Sequence, residues 1–220
     1  MHKTISQIFD WSEVWALLIP LFALFFRRKQ PVYMKPVIFY LWIALFLNLT
    51  GDIIGDYKRY LPHWLHSNNI LYNIHSLVRF ACFGYFFRLD GKTYRGIIGR
   101  IINLAAVFFI LYNFIYVEDF TNPNHLSGNL LATEAFVLLI YCMQYYLSRL
   151  NAEVGEFAGR KDFWMVTGLC IYLVVNFFVF LFYVPMLSEN PEMADQMWLV
   201  HNIAYISLCI FIAKSFYVPA

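Results

Sequence analysis

Charged side chains are scarce in this sequence, because Asp, Glu, Lys and Arg together make up only 14% of its 220 residues. The formal net charge is +2, so no basic excess indicates a nucleic-acid partner. The four cysteines lie in apolar stretches without CxxC spacing, which argues against a zinc ribbon and a disulfide framework. By contrast, 61% of the residues are hydrophobic, 20% are aromatic, and the mean hydropathy is +0.58. This composition predicts an integral membrane protein.

Seven apolar windows are long enough to cross a bilayer, which takes about 20 helical residues. They cover residues 11–27, 36–56, 68–87, 98–117, 128–148, 162–183 and 196–216. The connections between them are short and leave no room for a soluble domain. The sequence therefore predicts an all-α fold in which residues 1–220 form a single seven-helix transmembrane domain, and any chemistry must take place at the membrane.

Basic residues are concentrated in alternate loops. The loops after spans 1, 3 and 5 contain Arg27, Arg28, Lys29, Lys35, Arg88, Lys92, Arg95, Arg100, Arg149, Arg160 and Lys161. In the other loops Lys58 and Arg59 stand alone as basic residues beside Glu118, Asp119, Glu189, Glu192 and Asp195. The positive-inside rule then predicts an outer N-terminus and a cytoplasmic C-terminus. We expect a multi-pass protein of a bacterial inner membrane.

The first and last thirds of the chain align with each other. Residues 12–19 match residues 133–140 and bring Glu13 onto Glu134, a rare pair of intramembrane acids. Slightly larger shifts place Asn48 on Asn176 and Asn73 on Asn202. If span 4 is an inverting linker, the chain is a 3+1+3 parallel internal repeat. The alternative is a chance alignment of apolar helices.

Ionisable and amide side chains inside the predicted spans mark the candidate site, because each charged group costs ~2.5–3.5 kcal/mol to insert and usually faces the bundle interior. At a rise of 1.5 Å per residue, nearly all of them fall in the outer half of the bilayer, with Arg79 deepest. We predict a polar, outward-open cavity for a small polar or cationic ligand. Its candidate ligand-binding residues are Asn48, Asp52, Asn73, His75, Arg79, Glu134, Asn176, His201 and Asn202.

Each of these residues also has a structural interpretation. Arg79 could form an ion pair with Asp52 or Glu134, and the asparagines and histidines could form hydrogen bonds between helices. Glu13 could be a first-turn residue favoured by the helix dipole.

A metal or pigment site is the next class to consider. His75, His201, Glu134 and Asp52 are the ligand types of a zinc site and are the residues that would hold a metal here. Seven-span zinc hydrolases of the ceramidase and adiponectin-receptor type use an HxxxH pair, but residues 201–205 read HNIAY and lack the second histidine. Retinal needs a lysine in the middle of the last span, whereas Lys214 lies at its inner end, so no retinal is expected.

Two stretches of the last third, residues 163–178 and 198–203, carry a family resemblance. They are similar to the end of uncharacterised bacterial seven-helix membrane regions, some of which precede histidine kinases. The resemblance implies a sensory input module. Because no kinase follows within these 220 residues, we expect the output to need a signalling partner in the cytoplasm or membrane.

The 3+1+3 layout is also similar to that of the SWEET sugar transporters. That resemblance implies a pocket at Asn73 and Asn202, although the paired prolines that hinge SWEET helices are absent. The sequence thus favours a ligand-binding sensor acting through a partner protein, rather than an enzyme. The alternatives are a transporter of a small polar or cationic solute and, third, an intramembrane metal-dependent hydrolase.

Overall fold

The protein is built from helices throughout the part of the chain that the structure describes. A computed structural model describes residues 9–62, 67–90, 97–117, 126–149 and 159–218, and these ranges contain seven α-helices and no strand. The helices are α1 (Ser12–Phe26), α2 (Lys35–Tyr57), α3 (Asn69–Asp90), α4 (Ile97–Tyr112), α5 (Gly128–Leu147), α6 (Lys161–Glu189) and α7 (Pro191–Tyr217). Single 3-10 turns flank α2, and α4 continues as a π-helix over Asn113–Val117. One helix is confirmed in each predicted window.

The helix ends follow local sequence signals. The Ser127 side chain accepts a hydrogen bond from the backbone N–H of Leu130 (3.2 Å) and caps α5. Asn190 caps α7 by accepting from the N–H of Met193 (3.2 Å), and Pro191 occupies the first helical position. The predicted loop of residues 184–195 is therefore wrong in its extent, because α6 and α7 both continue past the apolar windows and leave Asn190 alone between them.

Four helical segments are long and apolar enough to cross a membrane: Val32–Tyr60, Gly128–Leu147, Lys161–Glu189 and Pro191–Tyr217. The apolar helices Ser12–Phe26 and Leu104–Val117 are shorter. At 22 residues α3 is long enough but less hydrophobic. Hydropathy and length together identify the chain as a membrane protein.

The outward surface of the bundle is strongly apolar. Large side chains such as Phe46, Leu104 and Phe108 are 69%, 71% and 73% exposed. An apolar surface of this extent is unfavourable in water and matches a lipid-facing surface. The interior is aromatic, with Tyr40, Tyr141, Tyr145, Tyr172, Tyr205, Phe83, Phe86 and Phe87 fully buried.

Six of the helices form a ring. Each of the helix pairs α1·α2, α2·α3, α3·α5, α5·α6, α6·α7 and α7·α1 is in contact, which closes the ring. The remaining helix, α4, packs against α5. The ring helices before and after α4 are two groups of three, the triplets α1–α3 and α5–α7. Helices α1 and α5, which carry the two aligned acids, lie three helices apart around the ring.

Some of the loop charges used to predict orientation fall outside the described residues. They are Lys92, Arg95, Glu118 and Asp119. The basic residues Arg27 to Lys29 and the acidic residue Glu189 lie within the described part and are exposed.

Candidate functional site

An ion pair between α3 and α5 lies in the interior of the ring. Arg79 donates from Nε to Glu134 Oε1 (2.5 Å) and from Nη2 to Glu134 Oε2 (2.7 Å), a bidentate geometry. The exposed fraction is 3% for Arg79 and 0% for Glu134. The sequence left Asp52 and Glu134 as candidate ion-pair partners of Arg79. In the structure the partner is Glu134.

Neutral side chains form further hydrogen bonds with this ion pair. Ser76 Oγ donates to Glu134 Oε2 (2.5 Å), and Arg79 Nη1 donates to the Tyr172 hydroxyl (2.6 Å). The Arg79 guanidinium also lies 5.1 Å from the centroid of the Tyr172 ring, within cation–π range. Burial of the two charges costs desolvation energy, and these extra hydrogen bonds offset part of that cost.

A second carboxylate contact joins α1 to α7. The Nε2 atom of His201 lies 2.9 Å from Oε1 of Glu13, and both residues are buried. The other ring nitrogen, Nδ1, is hydrogen bonded to Oδ1 of Asn176 on α6. Asn176 Nδ2 donates to the Tyr172 carbonyl (2.8 Å), which turns its Oδ1 toward the histidine.

Both ring nitrogens of His201 therefore face oxygen acceptors. The two contacts hold the imidazole ring between α1 and α6. Glu13 is thus in the first turn of α1, as the helix-dipole interpretation requires, and also contacts His201 inside the bundle.

A third group of polar contacts runs from α3 to α2. His75 Nε2 lies 3.1 Å from the Tyr40 hydroxyl, and the two rings stack with centroids 5.6 Å apart. The Tyr40 and Tyr205 hydroxyl oxygens are 3.5 Å apart. Asn48 Nδ2 lies 3.4 Å from the Tyr205 hydroxyl and 3.2 Å from the Glu13 carbonyl oxygen, which links this group to α1.

A small cavity lies where these groups meet, and the free space left in it is about the size of one water molecule. Aromatic rings and charged groups share its wall, so a ligand there would meet both. The lining residues are Glu13, Tyr72, His75, Arg79, Leu131, Phe180, Trp198, His201 and Tyr205.

The remaining predicted residues have separate positions. Asn73 Oδ1 accepts from the backbone N–H of Ser127 (3.0 Å), and Asn202 Nδ2 donates to the Phe9 carbonyl (3.1 Å). These asparagines tie helices to adjoining backbone. Asp52 is half-buried and is not among the residues that line the cavity.

The four residues proposed as metal ligands are not brought together. His75 is hydrogen bonded to Tyr40, while Glu134 is taken up by Arg79 and Ser76. Within the described ranges, no group of three or more His, Cys, Asp or Glu side chains is placed to hold a metal ion. The cavity therefore offers hydrogen-bonding and charged groups instead of a preformed metal-ligand set.

The sequence prediction of the site left out Tyr40, Ser76 and Tyr172. Ser76 lies three residues before Arg79, on the same helical face, and Tyr40 lies two helical steps of four before Asn48. Helical spacing from the predicted polar residues could have found both. Nothing in the sequence marked the hydroxyl of Tyr172 as a partner for Arg79, because that contact joins α3 to α6.

No protein-family model, no curated protein and no solved structure matches this chain.

Proposed function

We propose that the chain crosses the membrane seven times, with its N-terminus outside and its C-terminus in the cytoplasm. The distribution of exposed charge supports this topology. Arg27, Arg28 and Lys29 follow α1 at one end of the bundle, and Glu189 and Glu192 flank the turn between α6 and α7 at the other. Basic residues favour the cytoplasmic side.

Cysteine accessibility tests this topology. We expect a membrane-impermeant maleimide to label Glu192→Cys in intact cells, whereas Lys29→Cys and Ser148→Cys react only after the cells are opened. All three native side chains are exposed. The unsubstituted chain is the control, since Cys82, Cys142 and Cys209 are buried and Cys170 is partly buried. Labelling of position 29 but not of position 192 in intact cells would indicate the opposite orientation and contradict the proposed topology.

The 3+1+3 repeat is supported by the way the two triplets meet. Glu13 on α1 contacts His201 on α7, and Glu134 on α5 contacts Arg79 on α3. In both cases an acid on the first helix of one triplet pairs with a nitrogen base on the third helix of the other. A parallel repeat related by an axis along the membrane normal generates this exchange.

We propose that the protein is a sensor or binding module for a small polar or cationic ligand and acts through a partner protein. The observation that carries this proposal is the cavity between the triplets, which Glu13, His75, Arg79 and His201 line together. Intramembrane charged groups that face a cavity mark functional sites by default. A ligand that competes for the Glu13 carboxylate would loosen the contact between α1 and α7, and the partner would detect that shift.

The charge balance favours a cation. Glu134 neutralises Arg79, so Glu13 is the carboxylate of the cavity wall that an incoming cation would meet. Aromatic rings such as Trp198 and Tyr205 add their negative faces. Ammonium has the dimensions of a water molecule and is therefore a suitable probe.

Binding can be tested by thermal melting in detergent with ammonium chloride and sodium formate as probes. We expect saturable stabilisation by ammonium alone, up to about 2.7 kcal/mol at 100 times Kd. Glu13→Gln keeps an oxygen acceptor for His201 and should abolish the stabilisation. Glu189→Gln removes an exposed carboxylate and serves as the matched control. Equal stabilisation of Glu13→Gln and the unsubstituted chain, or stabilisation by formate, would contradict the proposal.

The alternative function is transport of a small polar or cationic solute. The specific observation in its favour is that both carboxylate contacts bridge the two triplets, which is where an alternating-access transporter opens and closes. Uptake of isotope-labelled ammonium into proteoliposomes separates the two functions. Concentrative, Glu13-dependent uptake supports transport, and saturable binding without uptake supports the sensor.

A further inference from the structure

The C-terminal end of α1 carries a basic cleft at the polar end of an apolar helix. Its lining is the consecutive run Phe25, Phe26, Arg27, Arg28 and Lys29, all of them exposed. The cleft is open and lies far along α1 from Glu13, so it is distinct from the cavity described above.

The cations of this cleft have no acidic partner in the part of the chain that the structure describes. Among the described residues, no carboxylate forms a salt bridge with Arg27, Arg28 or Lys29. A further cation adjoins them, because buried Lys161 donates to Gln30 Oε1 (3.2 Å) and Gln30 donates to the Arg27 carbonyl (2.6 Å). Like charges gathered without an acid favour an anionic ligand.

Some other cations in the described part of the chain have partners. Arg149 and Arg160 both contact Asp162 Oδ2, at 2.8 and 3.0 Å. Lys214 lies 5.4 Å from the centroid of the Trp164 ring. The charges of Arg149 and Arg160 are therefore balanced by an acid, unlike those of the cleft.

An apolar surface continues directly from the cleft along α1. Phe22, Phe25 and Phe26 are 66%, 61% and 58% exposed, and Phe26 packs edge-on against both of the others. A ligand with a phosphate at one end and hydrocarbon at the other matches a basic cleft that adjoins an apolar surface. Arginine binds phosphate oxygens in bidentate geometry, and exposed aromatic rings pack against acyl chains.

We propose that this basic cleft, Phe25 to Lys29, is a binding site for the phosphate headgroup of an anionic membrane lipid, whose acyl chains lie along the exposed phenylalanines of α1. A lipid fits better than a soluble phosphate because the apolar half of the site would otherwise have no partner in the ligand. Basic pockets at helix ends recognise anionic headgroups in this way, and each cation raises the affinity about fivefold.

The test measures lipid bound to the full chain in detergent that contains equal amounts of phosphatidylglycerol and phosphatidylcholine. We expect preferential retention of phosphatidylglycerol in native mass spectra and a matching rise in melting temperature. Arg27→Gln/Arg28→Gln should weaken the phosphatidylglycerol preference by roughly 25-fold. The melting temperature in phosphatidylcholine alone shows whether the variant is folded.

The matched control is Arg160→Gln/Lys214→Gln, which removes the same amount of charge from residues with other partners. An equal loss of phosphatidylglycerol in this control would overturn the proposal, because it would indicate diffuse attraction to the whole basic surface. Stabilisation by glycerol phosphate as large as that by phosphatidylglycerol would also overturn it, because the acyl chains would then contribute nothing. If Arg27→Gln/Arg28→Gln is unfolded, Lys29→Gln should still lose about fivefold.

Discussion

Replacing Arg79 by methionine is expected to destabilise the protein by about 3–5 kcal/mol, because the change leaves the Glu134 carboxylate buried without its cation. Glu134→Gln leaves the Arg79 guanidinium buried without its carboxylate. The amide oxygen of the glutamine can still accept hydrogen bonds from Ser76 Oγ and Arg79. Both losses should appear as lower melting temperatures in detergent.

The double variant Arg79→Met/Glu134→Gln distinguishes a structural pair from two independent residues. Removal of both charges takes away the desolvation cost together with the attraction, so the double variant should recover much of the stability lost by either single variant. Strictly additive losses would show that the two side chains are not coupled. Arg160→Gln, which removes an exposed arginine, is expected to change stability by less than about 1 kcal/mol.

Gly168→Ala is expected to destabilise the contact between α6 and α7 strongly. A Cβ atom at position 168 would lie 2.3 Å from Cβ and 2.9 Å from Cγ of Phe211. The Cβ of Phe211 is fixed to the backbone of α7, so the helices must move apart. Overpacking of this kind costs about 1–3 kcal/mol or more.

Gly84→Ala is the matched control for this substitution. Position 84 is also helical, and an added Cβ would meet nothing within 4 Å. Alanine has a higher helix propensity than glycine, so Gly84→Ala should be neutral or stabilising by up to about 1 kcal/mol. Thermal melting of both variants checks the pair of expectations. If the two variants melted alike, α6 and α7 would not be in this close contact.

The two carboxylate contacts have different consequences under the proposed function. The bidentate Arg79–Glu134 pair has hydrogen bonds from Ser76 and to Tyr172, which suits a permanent connection between α3 and α5. The Glu13–His201 contact lies beside the cavity and uses a titratable imidazole. We infer that ligand acts on the second contact, while the first holds the triplets together.

Helical spacing indicates the polar side of α2 and of α3, and the structure shows the limit of that information. Asn48, Asp52 and Asp56 recur every fourth residue on α2, and their exposure rises toward the helix end from buried through half-buried to exposed. Ser76 and Arg79 share one face of α3. The spacing places these side chains on a common face but is silent about which other helix that face meets.

The sequence by itself determined the helices, the membrane character and many of the buried polar residues, although it included half-buried Asp52 and left out Ser76. These properties depend on local hydropathy and on the cost of burying charge, both of which can be read along a single chain. Only the tertiary structure decided the partners. It paired Arg79 with Glu134 instead of Asp52 and brought Glu13 to His201, residues 188 positions apart. The order of helices around the ring sets those contacts, and that order arises from side-chain packing between helices that are equally apolar in sequence.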